Sequence, residues 1–520
     1  MGATLASSTH SVWRRKAPQS APIGATWLQI RPLAKRNGRY SRVNQERKGM
    51  RLYLVNPDNP VVSLSKVHWN RLNTYRVWKP LGLLVLAGLT PPDWEVTLID
   101  ENLDHPDYGR LPKPDLVGIT AFTSQAPRAY EIAAIYRAMG VPVVMGGIHA
   151  TFCRDEALEH ADAVVTGEAE LVWEQVLADA REHALRRVYQ GGIGAMDAIP
   201  PARHDLLQGR YYFGSVQTTR GCPLNCTFCS VTAFNGGTYR HRPVDDVIRE
   251  LRQIREKVIL FVDDNLIGTR KDHLAYSKDL FRAMIREGLT RPWICQATIN
   301  FADDEELLEL AALSGCQGAF IGFESPTVEG LMAVGKKFNL QKGGDFRGSV
   351  RRIQRHGICV VGSFIIGIDT DRRGIGATIA SAAKQYGIDA ANVLILTPLP
   401  GTKLYAQMKR EGRIRSNDYP EDWKYYTLTY PVARYAHLTW EDLVQEVEQF
   451  NDRFYSYPQV LRRMLHLARD FRNRKTFLGV LVANLSYRSN HHLDRLMYAS
   501  RSRPADLGHV PAAEVGVETL

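Results

Sequence analysis

The sequence predicts an α/β chain in two modules, a doubly wound parallel sheet followed by an open six-stranded βα barrel, with a helical cap behind them. Three observations predict it. Short apolar strands alternate with helix-length stretches from residue 50 to about 400, the pattern of parallel sheets covered by helices. A length of 520 residues suggests more than one domain. An apolar fraction of 44% and a charged fraction of 23% are those of a globular chain.

The same arithmetic excludes other classes. No apolar run reaches the length of a membrane span. Seven cysteines are too few for a disulfide scaffold. The net charge of +11 is uneven: residues 1–49 carry +9 and residues 461–520 carry +5, leaving −3 on the long middle. A nearly neutral middle argues against a protein-wide nucleic-acid surface.

Residues 1–49 are Arg- and Ser-rich and acid-poor, which reads as a leader or as an over-extended start before Met50. The first module is expected over 50–185, with strands at 51–56, 95–100, 115–122, 141–147 and 161–168. Ligands of such sheets sit beyond the carboxyl ends of the strands. Those ends carry Thr120, Thr123 and Ser124, then Gly146, Gly147, His149, Ala150 and Thr151, then Gly167 and Glu168. Glycines there let a backbone approach a bulky ligand, or simply turn the chain. No GxGxxG is present, so a dinucleotide site has no support.

After a linker at 186–210, the barrel is expected over 211–405. Its first strand-like stretch, GSVQTT, leads into Cys222-x3-Cys226-x2-Cys229. Three thiolates on one loop suit three irons of a [4Fe–4S] cluster, with the fourth iron open to a ligand. A structural zinc site needs four ligands, and no fourth Cys or His lies near. Five further helix–strand pairs follow, which makes a partial (βα)6 barrel of TIM type. Its strand ends carry Asp263, Asp264 and Asn265, then Gln296, then Glu324 and Ser325, then Gly367, then Pro398. Paired aspartates at a strand end also cap helices, and Glu324 has an ion-pair reading. Cys153, Cys295, Cys316 and Cys359 are scattered and read as small apolar residues.

A helical region is expected over 406–503, basic and amphipathic across 460–500, and then a tail at 504–520. The basic segment suits either an anionic membrane surface or a cover over the barrel mouth.

Two stretches carry a family resemblance. The cysteine motif with Phe228 and the barrel pattern resembles the radical S-adenosylmethionine superfamily. Lys79-Pro80-Leu81-Gly82, DLVGIT, Gly146–Thr151 and Gly167-Glu168-Ala169-Glu170 resemble the cobalamin-binding domain, Rossmann-like in fold, that precedes many radical enzymes. The chain is therefore similar to hopanoid and bacteriochlorophyll C-methylases and to the anaerobic magnesium-protoporphyrin cyclase. The loop after the first strand reads NPDNP and lacks the DxHxxG histidine of cobalamin mutases, so the resemblance implies that no His holds the cobalt from below.

The resemblance implies three cofactors: a [4Fe–4S] cluster on Cys222, Cys226 and Cys229, S-adenosylmethionine on its open iron, and cobalamin. It places Phe228 near the adenine, Asp264 and Asn265 near the methionine amino group, Glu324 on the ribose, and the strand ending at Gly367 against the adenine. Thr120, Ser124, Gly146, Gly147, His149 and Glu168 fall to cobalamin, with His149 lining a pocket. The implied reaction is C-methylation of an unactivated carbon in a small, hydrophobic, polycyclic or tetrapyrrole-like molecule; the alternatives are a cobalamin-dependent radical rearrangement or cyclisation without net methylation, a radical enzyme lacking cobalamin, and an iron–sulfur redox sensor. The resemblance further implies an external electron donor of flavodoxin or ferredoxin type and a reducing cytoplasm, while the charge distribution argues against a nucleic-acid partner and the basic segment 460–500 leaves peripheral membrane contact open. Cobalt and cluster must then face one cavity, so the two strand-end surfaces should oppose each other.

Overall fold

The computed structural model describes residues 49–61, 78–197, 199–207, 211–341, 344–469 and 474–499. The expectations for the leader and the tail lie outside these residues. The first sheet is built from β1 (Met50–Asn56), β2 (Trp94–Asp100), β3 (Leu116–Thr120), β4 (Val143–Gly146), β5 (Ala163–Gly167) and β6 (Val188–Gly192). All are parallel, in the order β2-β1-β3-β4-β5-β6. Alternate residues of β1 bury on opposite faces: Tyr53 and Val55 enter one apolar cluster, Leu52 and Leu54 another. Two covered faces are why this strand reads as a continuous apolar run. Strand order reverses between β1 and β3, the switch point beside which ligands of such sheets bind.

β6 falls where the sequence reading places a linker. Its VYQGG has no apolar run, because it is an edge strand with alternate residues exposed. Five residues ending in two glycines are too few to show either a continuous apolar run or a clear alternation.

The second sheet is built from β7 (Phe213–Val216), β10 (Val258–Phe261), β11 (Trp293–Ala297), β12 (Cys316–Glu324), β13 (Cys359–Ile366) and β14 (Ala390–Ile395). They pair in sequence order and in parallel, with β7 and β14 as unpaired edges, so the barrel is open. A two-residue antiparallel ribbon, β8 (Thr219–Arg220) with β9 (Arg240–His241), stands beside it. Helices Val244–Gln253, Lys271–Arg286, Glu305–Ser314, Phe346–Arg355 and Ile375–Tyr386 separate the strands and bury their apolar sides in the largest core cluster.

The cap has two parts. Residues 419–432 place Trp423, Tyr426 and Tyr430 in a core shared with the first module. The helices Trp440–Phe454, Tyr457–Arg469 and Arg474–Ala499 lead to the opposite end of the barrel. There the Tyr455 hydroxyl accepts from Ala391 N at 2.9 Å, and Asn484 donates to the Asp389 carbonyl at 3.0 Å. Both partners lie at the amino end of β14. The basic helices therefore do not cover the barrel mouth; residues 426–436 reach it instead, with the Tyr435 hydroxyl donating to Leu396 O at 2.8 Å.

Candidate active site

β7 ends at Val216, and the chain leaves the barrel rim through β8, loops, and returns through β9. The three cysteines ride on this excursion. Gly221 opens it at φ +89°, and a Cβ there would lie 2.2 Å from the Thr238 carbonyl, so only glycine fits. Asn225, with φ +52°, makes the turn into Cys226, a conformation Asn tolerates better than most residues.

The paired aspartates after β10 hold the excursion from beneath. Asp263 Oδ1 accepts from Thr218 N (2.9 Å), Thr218 Oγ1 (2.7 Å) and Thr219 Oγ1 (2.8 Å), and also from Thr219 N. Asp264 Oδ2 accepts from Gly221 N at 3.1 Å and Asn235 Nδ2 at 2.8 Å. Asn265 takes Thr298 Oγ1 on its carbonyl at 3.3 Å, while its buried amide nitrogen, beside the Cys222 thiol, has no hydrogen-bond partner.

Burial pushes all three thiols up, Cys229 to about 12, with Cys222 adding to the rise of Cys226 and both adding to that of Cys229. Buried thiols that repel as anions are relieved by iron, since a coordinating metal deprotonates the thiol outright. Among the described residues no group of His, Cys, Asp or Glu side chains is spaced to share a single metal ion. A cluster asks for less, because each cysteine binds a different iron. The loop, its orphaned donor and its thiols fit that group.

Glu324 closes β12 at φ +64°, beside a register shift that starts at Gly322. Such a conformation in a residue with a Cβ is uncommon and clusters at functional sites. Its carboxylate meets Lys336 Nζ at 2.9 Å, with both side chains buried. A Cβ on Gly322 would lie 2.2 Å from Glu324 Oε1 and 3.1 Å from that Nζ. The Lys336 segment lies along the cluster loop, where Thr227 N donates to Val334 O at 3.1 Å. Burial works against the Lys336 charge, but Glu324, with Cys226 and Cys222 behind it, holds its pKa above the ordinary range. Sequence reading missed Lys336, because nothing local marks a lysine 12 residues past the glutamate it pairs with.

The other barrel positions are brought to the same rim. Gly367 ends β13 at φ +100°, its N–H on Asp371 Oδ2 at 2.9 Å and the Tyr435 ring 2.8 Å from where a Cβ would stand. Gln296 is half-buried on β11, and its carbonyl accepts Leu266 N at 3.1 Å. Phe228 packs against the barrel core. Ser325 is buried in the turn before helix Val328–Ala333, its Oγ accepting Thr327 N at 3.3 Å.

On the first sheet, Gly147 at φ +87° lets the end of β4 pass Thr120, whose Oγ1 would lie 2.5 Å from a Cβ. Thr123 and Ser124 line a cavity of ≈ 160 Å³ with Phe122 and Ile148. Its other wall comes from Ser230, just after Cys229, from Leu399 and Pro400 beyond β14, and from Tyr426–Leu428. The two carboxyl-end surfaces thus oppose each other across one space. That space is smaller than the roughly 300–1,000 Å³ of an ordinary ligand site. A corrin needs more than this space; Phe122 at its edge is 67% exposed, and Leu171 and Ile193, beyond β5 and β6 of the same sheet, are exposed too. An apolar edge next to small strand-end residues fits a flat macrocycle.

Two residues assigned to cobalamin are engaged by other partners. His149 is fully buried, with Nε2 2.9 Å from the Tyr130 hydroxyl and 3.4 Å from Glu156, and its ring against Trp423. It is a core histidine joining first module to cap, not a pocket wall. The Glu168 carboxylate is engaged by Arg240, Arg220 and Gly194 N.

Residues 68–177 match the model of the B12 binding domain, and residues 216–374 match that of the radical SAM superfamily. An uncharacterized methyltransferase of Pyrococcus horikoshii is 32% identical over 443 residues, 77% of this chain and 93% of that one. The chain belongs to the cobalamin-binding radical S-adenosylmethionine methyltransferases. Members of this family use a [4Fe–4S] cluster, S-adenosylmethionine and cobalamin, and draw electrons from an external reductant. Bacteriochlorophyllide d C-12(1)-methyltransferase of Chlorobaculum tepidum is 28% identical over 398 residues, 74% of this chain and 84% of that one. The radical methyltransferase TsrM from Kitasatospora setae, solved with cobalamin and [4Fe-4S] cluster bound, superposes with a TM-score of 0.57 over 71% of this chain and 79% of that one. At 19% identity that is a likeness of fold.

Proposed function

We propose that this methyltransferase places its methyl group on an unactivated carbon of an apolar, polycyclic or tetrapyrrole-like molecule. The observation that carries the reading is the single cavity between the cobalamin-domain edge and the cluster loop, walled mainly by Phe122, Ile148, Leu399, Pro400, Tyr426 and Leu428. Apolar walls select an apolar substrate, because burying its surface drives binding. In this reading Cys222, Cys226 and Cys229 hold the cluster. Glu324, fixed in place by Lys336, accepts the ribose hydroxyls. Asp264 and Asn265 stand near the methionine amino group, and Phe228 and the backbone at Gly367 bound the adenine. Gln296, half-buried on β11, is assigned to S-adenosylmethionine in the same reading. Thr120, Ser124, Gly146 and Gly147 hold the corrin. When bound, the group supplies an electron and a methyl donor; the chain orients these and keeps water out.

The test is product stoichiometry in the anaerobically reconstituted enzyme. Methylation predicts one S-adenosylhomocysteine for each 5′-deoxyadenosine. Deoxyadenosine released with no S-adenosylhomocysteine would refute it.

A flavodoxin or ferredoxin is the electron donor of this reading, in a reducing cytoplasm. We also place the helix Tyr457–Arg469 on an anionic membrane. Among the described residues no helix is long and apolar enough to cross one. Yet Tyr457, Leu461 and Leu465 recur every four residues on one face and are exposed, as is Leu478. Residues 457–489 carry seven basic side chains and one acidic. Exposed apolar side chains among basic ones match an anionic lipid surface.

A further inference from the structure

Glu168 stands one residue beyond β5 and is buried. Its Oε1 accepts from Arg240 Nη2 at 2.5 Å, and its Oε2 from Arg240 Nη1 at 3.1 Å and Gly194 N at 3.0 Å. Arg220 Nη1 lies 3.4 Å from Oε2, and Arg220 Nη2 donates to Glu170 at 2.5 Å. Arg220 and Arg240 face each other across the β8–β9 ribbon. That ribbon is the stem of the excursion carrying all three cysteines. Arg240 also donates to the Asn235 carbonyl at 3.0 Å, and Asn235 is held by Asp264. A path of charge-assisted bonds therefore runs from the edge of the first sheet to both sides of the cluster loop.

We infer that Glu168 is a positioning residue that fixes the cluster loop relative to the cobalamin edge by gripping the two arginines of its stem. With three donor groups on its two oxygens, the carboxylate has little capacity left for a cofactor, which revises the expectation that it binds cobalamin. Charge-assisted bonds between buried groups are short and directional, so they suit the setting of a distance. Burial opposes the charge on Glu168, and Arg240, Gly194 N and Arg220 outweigh it, holding the carboxyl below its ordinary range. The inference rests on the proposed shared use of the two cofactor sites.

The experiment compares the wild type with Glu168→Gln, which keeps the shape and removes the charge, and Glu168→Asp, which keeps the charge. Chains are reconstituted with iron, sulfide and cobalamin. Iron and cobalamin are counted per chain, and the distance between Co(II) and the reduced cluster is read by pulsed dipolar EPR. Expected are full loading with both cofactors, a distance distribution at least twofold broader in Glu168→Gln, and partial narrowing in Glu168→Asp. An unchanged width overturns the inference. So does loss of cobalamin with the cluster retained, which would make Glu168 a cofactor contact. If the wild type itself takes up no cobalamin, the functional reading fails, and the clamp is then judged by hydrogen exchange over residues 219–241. Glu168→Gln should speed that exchange severalfold, and equal rates overturn the clamp. Should Glu168→Gln not fold, Glu170→Gln takes its place with a smaller expected effect.

Discussion

Lys336 carries its charge into an enclosed position 2.9 Å from Glu324. Breaking a buried pair by removing one partner leaves the other charge uncompensated, at a cost of about 3–5 kcal/mol. Lys336→Met is therefore expected to lower the denaturation midpoint sharply. The double variant with Glu324→Leu should recover most of that loss while S-adenosylmethionine cleavage stays absent. Denaturant titration beside a deoxyadenosine assay checks both halves. The cysteines make the simpler case. Cys226→Ala should lose the cluster's visible absorbance and the cleavage activity together, and surviving activity would sink the assignment.

At the scale of elements, the C-terminal helices do two things. Their inner faces seal the amino end of the barrel through Tyr455 and Asn484. The outer face of Tyr457–Arg469 presents its leucines to solvent. Leu461→Glu with Leu465→Glu should leave the fold intact, since exposed positions tolerate change. Co-sedimentation with vesicles containing anionic lipid should drop severalfold, and neutral vesicles should bind weakly in either case. Binding that is indifferent to these changes would remove the membrane reading. β12 shows the opposite kind of element, one shaped wholly by its contacts. Gly322 has no room for a methyl group, so Gly322→Ala should displace Glu324 and raise the apparent KM for S-adenosylmethionine.

For the whole molecule, pH acts through carboxyls perturbed in opposite directions. Burial raises Asp371 to about 7 and Asp389 to about 6. Such a group binds a proton in the folded chain that the unfolded chain has released, near its ordinary pKa of about 3.9. Its contribution is thus most favourable at or below that value and is lost as pH rises through the folded pKa. Glu101, Glu156 and Glu250 go the other way. Burial alone would raise them, but Arg128 for Glu101, His149 and Tyr130 for Glu156, and His204 and Arg242 for Glu250 hold them low. They stabilise at neutral pH, and that stability is lost as pH falls through their lowered values. The melting midpoint should fall as pH rises from about 4 to about 7, level off above that, and collapse in stronger acid. Asp371→Asn, which keeps an acceptor for Gly367 N and Ile368 N, should flatten the slope between about pH 4 and 7; an unchanged slope would assign it to other groups.

The sequence by itself determined whatever depends on neighbours along the chain. Buried parallel strands announce themselves as apolar runs, and the cysteine spacing lies within eight residues, so both sheets and the cysteine loop were legible. Among the described residues the strands that went unread are β6, a short edge with few apolar residues, and β9, two residues long. Only the tertiary structure decided which charges meet: Glu168 with Arg220 and Arg240, Glu324 with Lys336, and His149 turned into the core rather than the cavity. It also decided that the basic helices close the far end of the barrel. The paired charges lie 12 to 72 residues apart along the chain. No local period encodes such pairings; packing fixes them when two separately patterned surfaces come together.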